Sequence, residues 1–259
     1  MAENAHLLPA ERLEYIRGMA LSEGIVRVAD LATKLQVSEV TVRTDLSQLE
    51  REGLLKRTYG GAVLAKSRRF ERPFAEQQTV SFDEKRRIGA AAVGLIEEGD
   101  TIILDVGTTT TEVARQMTTF RNVVVVTNGL NIAFELEQCP GLTVMVTGGT
   151  LRAMQHSLVN PYATLLLSEI NADKLFLGCN GVSRQRGITN ANLQEAEIKK
   201  AMVAAAKSVI VVADSSKVGA ISAAHVCPLS EVKTLITDSD ADPTELQRLR
   251  DVGLNVTVV

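Results

Sequence analysis

The chain has 259 residues, of which 45% are hydrophobic, so it can bury a core and disorder is excluded as its main state. Its 28 basic and 31 acidic residues give a net charge of −3, which argues against nucleic-acid binding only if charge is spread evenly. Residues 1–72 hold 12 basic and 10 acidic side chains, a net of +2, whereas residues 73–259 hold 16 and 21, a net of −5. This segregation indicates a basic module followed by an acidic body.

The cysteines are few, and they form neither a CxxC pair nor a cluster with histidine, so we expect reduced thiols, no metal site and no cofactor. The first residues lack a basic segment followed by an apolar one, and no apolar run approaches the ~18 residues needed to span a bilayer. We therefore expect a cytoplasmic protein that has no membrane partner.

Three helical patterns follow one another at the start of the chain. The first lies between Pro9 and Gly24, the second covers 28–35, and the third begins after Ser38, a favourable N-cap residue. Short helices joined by a tight turn are typical of a helix-turn-helix, which we predict over residues 26–45.

The third helix has two distinct faces. Val42, Leu46 and Leu49 form an apolar stripe, whereas the opposite face carries hydroxyls, an amide and one arginine instead of the Glu/Lys pairs of a merely solvated helix. Such groups suit phosphates and base edges, and an outward valine suits a thymine methyl. The alternative is a structural three-helix bundle. The predicted DNA-binding residues on this helix are Ser38, Val40, Thr41, Arg43, Thr44 and Gln48.

Two extended runs between Leu54 and Val63 flank a turn and predict a β-hairpin, which would turn the helix-turn-helix into a winged version. The alternative is a hairpin that only caps the bundle. Lys56, Arg57 and Tyr59 of this wing are predicted to contact backbone phosphates. We assign residues 1–64 to a winged helix-turn-helix DNA-binding domain.

Several residues of this region occur together in one known pattern. They are Val37, Ser38, Thr41, Arg43, Asp45, Leu46, Leu49, Glu50, Gly53, Arg57, Gly60, Gly61 and Ala62. On these residues, 8–64 resemble the N-terminal module of the DeoR/GlpR family of bacterial transcriptional regulators. The resemblance implies double-stranded operator DNA as a partner. Thr44 replaces the family's usual second arginine and Tyr59 its usual histidine, which should weaken non-specific attraction and change base preference.

The rest of the chain alternates between strands and helices. Residues 65–80 are polar and basic and predict a linker, and Ser81 to Glu84 fit a capping box ahead of a helix that runs to about Glu97. Beyond it, β-branched runs alternate with helical stretches, so residues 81–259 are predicted to form an α/β domain with a mostly parallel sheet. The predicted strands are Thr101–Asp105, Val123–Thr127, Leu142–Thr147, Lys174–Cys179, Val209–Asp214, Thr234–Thr237 and Val256–Val259. The predicted helices include Thr111–Met117, Asn131–Gln138, Leu193–Lys207 and Pro243–Asp251.

The carboxyl ends of the predicted strands are polar. The first strand leads through Gly107 into four threonines that open a helix, where backbone amides, hydroxyls and the helix dipole favour a phosphate. The loop lacks the GK[ST] ending of a Walker A motif, which argues against ATP or GTP. The alternative is a threonine-rich N-cap without a ligand. Other strand ends supply Arg152 and Lys217, so together they favour a small anionic polyol.

Residues 85–238 carry further runs of one pattern, namely LDxGTTT, TNG, GGxxR, EAxIK and DSSKxG. They resemble the effector-sensing domain of the same family, which implies a fold similar to ribose-5-phosphate isomerase, glucosamine-6-phosphate deaminase and CoA transferases. The implied ligand is a phosphorylated sugar, and the motif run is typical of the branch that regulates amino-sugar or galactitol-type catabolism. The implied effector-binding residues are Asp105, Gly107, Thr108, Thr109 and Thr110 around the phosphate, Asn128, Gly149, Arg152 and Lys217 at phosphate or hydroxyls, and Glu195 at the sugar end.

The main alternative is a sugar-phosphate isomerase or deaminase with a DNA-binding arm. Isomerisation needs a carboxylate base supported by other acids, but residues 180–183, where similar isomerases have an acidic loop, carry no carboxylate. A purely architectural protein would not need polar groups at its strand ends. We therefore predict a non-enzymatic transcriptional regulator, a repressor of a carbohydrate-catabolism operon, with activation as the alternative mode. A homodimer or homotetramer would present paired winged helices to operator half-sites, and the sugar phosphate would change its DNA affinity.

Overall fold

The computed structural model of the protein describes residues 8–51, 55–64 and 73–259. The chain divides into two compact units, Met1–Phe70 and Glu71–Val259. The first contains the helix-turn-helix and the hairpin, and the second contains the parallel α/β domain, so the predicted fold class is confirmed.

The smaller unit is a three-helix bundle with a small sheet. Its helices share one apolar cluster, and Val42, Leu46 and Leu49 are fully buried as the helical stripe predicted. The described helices are α1 (Pro9–Glu23), α2 (Val28–Leu35) and α3 (Glu39–Arg51), and the strands are β1 (Ile25–Arg27), β2 (Leu55–Thr58) and β3 (Gly61–Leu64).

Strand β1 was not predicted from the sequence, because three residues are too few to show an alternating pattern. It pairs antiparallel with β3, which also pairs with β2, so the wing is a three-stranded sheet in the order β1-β3-β2. A Cβ atom on Gly61 would lie 2.2 Å from the carbonyl oxygen of Val26, so only glycine permits this close pairing.

The larger unit is built on seven parallel strands in the order β15-β14-β12-β9-β4-β5-β6. These strands are β4 (Thr101–Leu104), β5 (Val123–Thr127), β6 (Leu142–Val146), β9 (Lys174–Leu177), β12 (Val209–Val212), β14 (Thr234–Thr237) and β15 (Asn255–Val258). All seven correspond to predicted strands, although several end one or two residues earlier than predicted.

Helices cover both faces of this sheet. Successive residues of β4 point to opposite faces, and accordingly Ile102 and Leu104 belong to one apolar cluster while Ile103 belongs to the other. The helices that contribute to the first cluster are α5 (Phe82–Val93), α6 (Thr108–Arg115) and α7 (Leu130–Leu136). Those that contribute to the second are α8 (Ala163–Ser168), α9 (Leu193–Ala204) and α10 (Pro243–Arg250).

Short antiparallel elements that the sequence did not reveal lie beside the parallel sheet. One is the hairpin of β7 (Thr150–Arg152) and β8 (Ser157–Val159), and the other is a sheet of β10 (Gly181–Ser183), β11 (Gly187–Asn190) and β13 (Ala224–Cys227). Each strand has only three or four residues and forms through tertiary pairing.

Two predictions near the start of the larger unit need correction. Residues 73–80 of the predicted linker contain a helix, α4 (Phe74–Thr79), because Phe74 is buried, while residues 65–72 lie outside the described part of the chain. Ser81 does not form the predicted capping box, since its backbone is left-handed with φ 52° and its side chain makes no cap hydrogen bond. The helix that follows ends at Val93 instead of near Glu97.

Within the described residues, none of the helices combines the length and the apolar character needed to cross a membrane.

Candidate functional site

The outer face of α3 is held together by short-range hydrogen bonds. The Ser38 hydroxyl accepts from the backbone amide of Thr41 at 3.1 Å, which makes Ser38 the N-cap that the sequence predicted. Thr44 Oγ1 donates to the carbonyl oxygen of Val40 at 3.0 Å, and Nη2 of Arg43 donates to Oε2 of Glu39 at 2.6 Å. The helix therefore presents these polar groups in defined positions.

The exposure of this face matches a surface made for contact. Val40 is 68% exposed although it is apolar, and Arg43 and Thr44 are also exposed, whereas Thr41 and Gln48 are half-buried. An exposed aliphatic side chain among hydroxyls is not explained by the core, because the buried stripe is on the other side of the helix.

The wing carries one cation that extends outward and one that lies against α3. Lys56 is exposed, and Tyr59 at the turn is fully exposed. Arg57 is half-buried instead, since its Nη1 donates to the Ser47 hydroxyl at 2.7 Å. Arg57 was predicted to contact phosphates from the wing, but part of its hydrogen-bonding capacity joins the wing to α3.

Unlike Arg43, the carboxylate of Asp45 faces inward on the same helix. It is 5% exposed, and its two oxygens accept from Nε and Nη2 of Arg12 on α1 at 2.5 and 3.1 Å. This two-bond ion pair connects the first and third helices and sets the angle at which α3 presents its outer face.

In the larger unit, a pocket lies at the carboxyl ends of β4, β9 and β12, where open parallel sheets bind ligands. Its walls contain six of the predicted effector-binding residues, namely Gly107, Thr108, Thr109, Thr110, Glu195 and Lys217. The residues that line it without having been predicted are Gln77, Val106, Gln155, Gly178, Cys179, Asn180, Asn190, Lys199, Val212, Ala213 and Asp214.

The threonine-rich turn is organised around one carbonyl group. The hydroxyls of Thr110 and Thr111 donate to the carbonyl oxygen of Gly107 at 3.0 and 2.6 Å, and α6 begins at Thr108. The first amides of a helix have no partners within the helix, and residues 107–110 line the pocket, so this turn offers N–H donors to an anion bound there.

Asp105 lies below the pocket and is completely buried. One carboxylate oxygen accepts from the backbone amide of Gly178 at 3.0 Å and is paired with Nζ of Lys199, which also donates to the carbonyl oxygen of Gly178 at 3.0 Å. Burial outweighs the attraction to Lys199 and raises the pKa of Asp105 to about 6. Asp105, expected at the phosphate, instead makes its hydrogen bonds to Gly178 and Lys199 of the protein.

Lys199 is a pocket residue that the sequence did not identify, although the sequence contains a signal for it. It follows Glu195 by four residues on α9, so both side chains lie on the same face of that helix. It is 3% exposed, which is rare for lysine without a partner, and the buried carboxylate of Asp105 supplies that partner.

Glu195 is the centre of a second buried network. Its Oε1 accepts from the Ser157 hydroxyl at 2.7 Å and is paired with Arg152, and its Oε2 accepts from Nδ2 of Asn190 at 3.2 Å. Arg152 and Glu195 were both predicted to bind the effector, and the fold brings them together across 43 positions. Glu195 lines the pocket, whereas Arg152 supports Glu195 from outside the lining.

Two further predictions are corrected by the geometry. Asn128 is 1% exposed, and its Oδ1 accepts from the backbone amide of Val106 at 2.9 Å, so it supports the loop that precedes the threonine turn. Gly149 has φ +116°, and a Cβ atom there would lie 2.2 Å from the carbonyl oxygen of Val159, so it serves the β7–β8 hairpin. Neither residue lines the pocket.

The second pocket cation, Lys217, is accessible and lies among acceptors. Its Nζ donates to the Ser216 hydroxyl at 3.1 Å and lies 3.9 Å from Oδ2 of Asp214, and 27% of its side chain is exposed. The described residues contain no cluster of three side chains able to hold a metal ion. The pocket thus combines helix amides, a partly exposed lysine and buried carboxylate and amide groups, which suits an anionic ligand with hydroxyls.

Comparisons with known proteins cover both units. Residues 12–68 match the DeoR-like helix-turn-helix domain, and residues 80–239 match the DeoR C terminal sensor domain. The chain is 35% identical over 252 residues to a putative aga operon transcriptional repressor of Escherichia coli O157:H7, covering 96% of this chain and 94% of that protein. It is 36% identical over 250 residues to the transcriptional regulator GlpR of Haloferax volcanii, covering 96% and 98% of the two chains.

Among solved structures, ribose 5-phosphate isomerase A of Methanocaldococcus jannaschii overlaps 53% of this chain and 54% of its own, with a TM-score of 0.40 and 17% identity.

Proposed function

The chain belongs to the DeoR family of transcriptional regulators, and on this premise we propose that it is a repressor of a carbohydrate-catabolism operon whose DNA affinity is controlled by a phosphorylated sugar. The observation that carries the proposal is the pocket, which combines a helix N-terminus and Lys217 with buried hydrogen-bonding groups in a unit that matches a sensor domain.

The DNA-binding part of the proposal assigns α3 to the major groove and the wing to the phosphate backbone. Val40, Arg43 and Thr44 are exposed on one face of α3 and would contact base edges, while Lys56 on β2 would contact a phosphate. Ser38 and Thr41 open the helix, where amides and hydroxyls suit a phosphate oxygen.

The sensing part of the proposal gives the pocket two ends. The Thr108–Thr110 turn and Lys217 would bind the phosphate, since both provide N–H donors and positive potential. Asn190 and Glu195 would contact sugar hydroxyls, because an amide and a carboxylate offer acceptors at fixed positions.

We infer binding in preference to turnover from the state of the carboxylates. A general base must be able to take a proton from the substrate. Glu195 is instead held by Arg152, Ser157 and Asn190, and Asp105 is buried against Lys199. NMR detection of isomerised product from a bound sugar phosphate would contradict this inference.

The sensing claim is tested by melting the full chain in the presence of hexose, pentose and amino-sugar phosphates. We expect one class to raise Tm, and we expect Lys217→Met to reduce that rise, because it removes the accessible cation. Lys233→Met is the matched control, since Lys233 is exposed and outside the pocket lining. If no phosphorylated sugar changes Tm, the sensing claim is wrong.

The DNA claim is tested separately with a mobility shift on the region upstream of the protein's own gene. A homodimer or homotetramer should bind paired half-sites, and the sugar phosphate that raises Tm should weaken the complex. Unchanged affinity after combining Arg43→Ala with Lys56→Ala would contradict the proposed face.

A further inference from the structure

Helix α4 is the first described element after the segment that joins the two units, and it reaches the pocket. Gln77, the fourth residue of this helix, lines the pocket. It belongs to none of the sequence motifs, because it lies in a polar stretch that was expected to be a linker. The chain therefore brings the start of the larger unit to the proposed effector site.

Each end of α4 is attached to a different neighbour. At its start, the ring of Phe74 is 6% exposed and lies 5.0 Å from the ring of His156, which follows the short turn between β7 and β8. At its end, Nζ of Lys85 donates to the carbonyl oxygens of Gln77 and Val80, both at 2.6 Å. Gln77 is in the last turn of α4 and Val80 follows the helix, so their carbonyl oxygens lie where a helix supplies no amide, and the lysine satisfies them.

Lys85 makes these hydrogen bonds from a buried position, where an ammonium group loses its hydration. It is only 4% exposed, and burial lowers its pKa. Among the described residues no carboxylate forms an ion pair with this buried lysine, and its hydrogen bonds to the carbonyl oxygens of Gln77 and Val80 supply its partners instead. The end of α4 is consequently fixed to α5 by one ammonium group.

A third attachment joins α4 to the helix that follows the threonine turn. With the Gln78 amide oriented to suit its neighbours, its oxygen accepts from Nη1 and Nη2 of Arg115 at 3.2 and 2.8 Å. Arg115 is the last residue of α6 and is also paired with Glu112 and Glu135. Because α6 begins at the proposed phosphate site, Gln78 connects α4 to the element that the phosphate would contact.

We propose that α4 is the coupling element of this protein, with Gln77 contacting the effector and with Gln78 and Lys85 as positioning residues. The proposal deepens the function proposed above and rests on it. A ligand that contacts both Gln77 and the threonine turn changes the free energy of one position of α4 relative to another, and α4 is covalently continuous with the segment that leads to the DNA-binding unit.

Gln77 and Gln78 allow the two roles to be separated, because they are adjacent but face different partners. Gln77→Ala removes a ligand contact and should weaken ligand binding about three- to tenfold, the effect of one hydrogen bond. Gln78→Ala leaves the pocket lining intact and breaks the connection to α6. It should keep ligand affinity within about twofold while reducing the effect of the ligand on DNA binding by about threefold or more.

The experiment uses the full chain and measures two constants for each variant. The probes are glucosamine 6-phosphate, galactosamine 6-phosphate and fructose 1-phosphate, with inorganic phosphate as the minimal anion. Calorimetry gives the Kd of the probe, and fluorescence anisotropy on the upstream DNA gives the Kd of the operator with and without saturating probe. Gln247→Ala is the matched control, because Gln247 is an exposed glutamine on α10 that bonds Asp251 on its own helix.

The outcomes distinguish this inference from the function on which it rests. If no probe binds the wild-type chain, the proposed effector site is wrong and α4 has nothing to couple. If a probe binds wild type and weakens operator binding, but Gln77→Ala retains the wild-type probe Kd or Gln78→Ala retains the wild-type ratio of operator Kd values, the coupling role of α4 is overturned. Reduced probe affinity in Gln77→Ala together with a reduced ratio in Gln78→Ala, with the control unchanged, supports it.

Discussion

The outer face of α3 and the pocket of the larger unit hold their functional side chains in different ways. On α3, hydrogen bonds join residues three or four positions apart, such as Arg43 to Glu39 and Thr44 to Val40. Around the pocket, the lining residues Lys199 and Glu195 are paired with Asp105 across 94 positions and with Arg152 across 43 positions.

Because of this difference, substitutions on α3 and substitutions around the pocket should have different effects on ligand or DNA binding and on folding stability. An exposed side chain held by its own helix can change without affecting the core, so substitutions on α3 should alter DNA binding and leave folding nearly unchanged. A buried charge in the pocket depends on a partner from a distant element, so its loss should affect folding and ligand binding together.

The largest expected effect is the loss of the buried pocket lysine. Lys199→Met leaves Asp105 buried without its cation, and we expect the free energy of unfolding of the larger unit to fall by about 3–5 kcal/mol. Urea denaturation followed by far-ultraviolet circular dichroism measures it. Lys200→Met, one residue further and exposed, is the matched control. A loss no larger than that of the control would contradict the comparison.

The same ion pair predicts a particular pH dependence. Burial raises the pKa of Asp105 from 3.8 to about 6, so the folded state binds a proton that the unfolded state releases, and this group's contribution to stability is lost as pH rises from about 4 to 6. Without Lys199 the pKa rises further. The deficit of Lys199→Met relative to wild type should therefore shrink as pH falls through 6, and a deficit independent of pH would argue against an ionised Asp105.

The ion pair between Arg12 and Asp45 tests whether the smaller unit has a non-local element of the same kind. Arg12→Ala leaves a nearly buried carboxylate on α3, and we expect a loss of about 3 kcal/mol in the free energy of unfolding of that unit. Arg27→Ala, at an exposed position of β1, should change it by less than about 0.5 kcal/mol. Equal losses would show that Arg12 does not fix α3.

Arg43→Ala should affect DNA binding more than it affects folding stability. Its ion pair with Glu39 is exposed on both sides and contributes at most about 1 kcal/mol to folding. Loss of a base contact should weaken operator binding by about 1–3 kcal/mol and reduce the preference for one base at a single position of the operator. If the slope of log affinity against log salt concentration instead falls by about one while the preference for each base stays the same, Arg43 contacts a phosphate.

The smallest predicted effect concerns the exposed valine of α3. If one of the two γ-methyl groups of Val40 is buried against a thymine methyl, Val40→Ala, which removes both, should weaken operator binding by about 0.8 kcal/mol, the contribution of one buried carbon group. Replacing each thymine of the operator by deoxyuridine should weaken the wild type at one position and leave Val40→Ala insensitive there. Equal sensitivity of both proteins at every thymine would place Val40 away from the bases.

Sequence periodicity was sufficient for most of the fold. Three successive apolar patterns predicted the three helices of the smaller unit, and seven β-branched runs predicted the strands of a mostly parallel sheet, which the structure shows to be fully parallel. Both patterns are visible in the sequence because residues that share a buried face lie two, three or four positions apart. The strands β1, β7 and β8 were missed, since each has three residues and exists only through its partner strand.

The sites followed the same division. The residues of α3 and of the threonine turn were found because they lie within one helix or one loop. Gln77 was missed because a polar stretch beside Pro73 indicated a linker, and nothing in that stretch shows that Phe74 is buried. Lys85 was missed because it lies in the predicted helix after residue 81, where a lysine reads as an exposed residue, and only the fold brings its ammonium group to the carbonyl oxygen of Gln77, eight residues earlier.

The amino-acid sequence by itself determined the family, the order of the elements and the face that α3 exposes, since all of these depend on neighbours along the chain. Only the tertiary structure decided which polar residues meet. It pairs Asp105 with Lys199 and Arg152 with Glu195. It also places Asn128 and Gly149 outside the pocket lining and Gln77 of α4 within it. The physical reason is that a buried charge needs a partner wherever the fold can supply one, and that partner is specified by packing between elements and not by distance along the sequence.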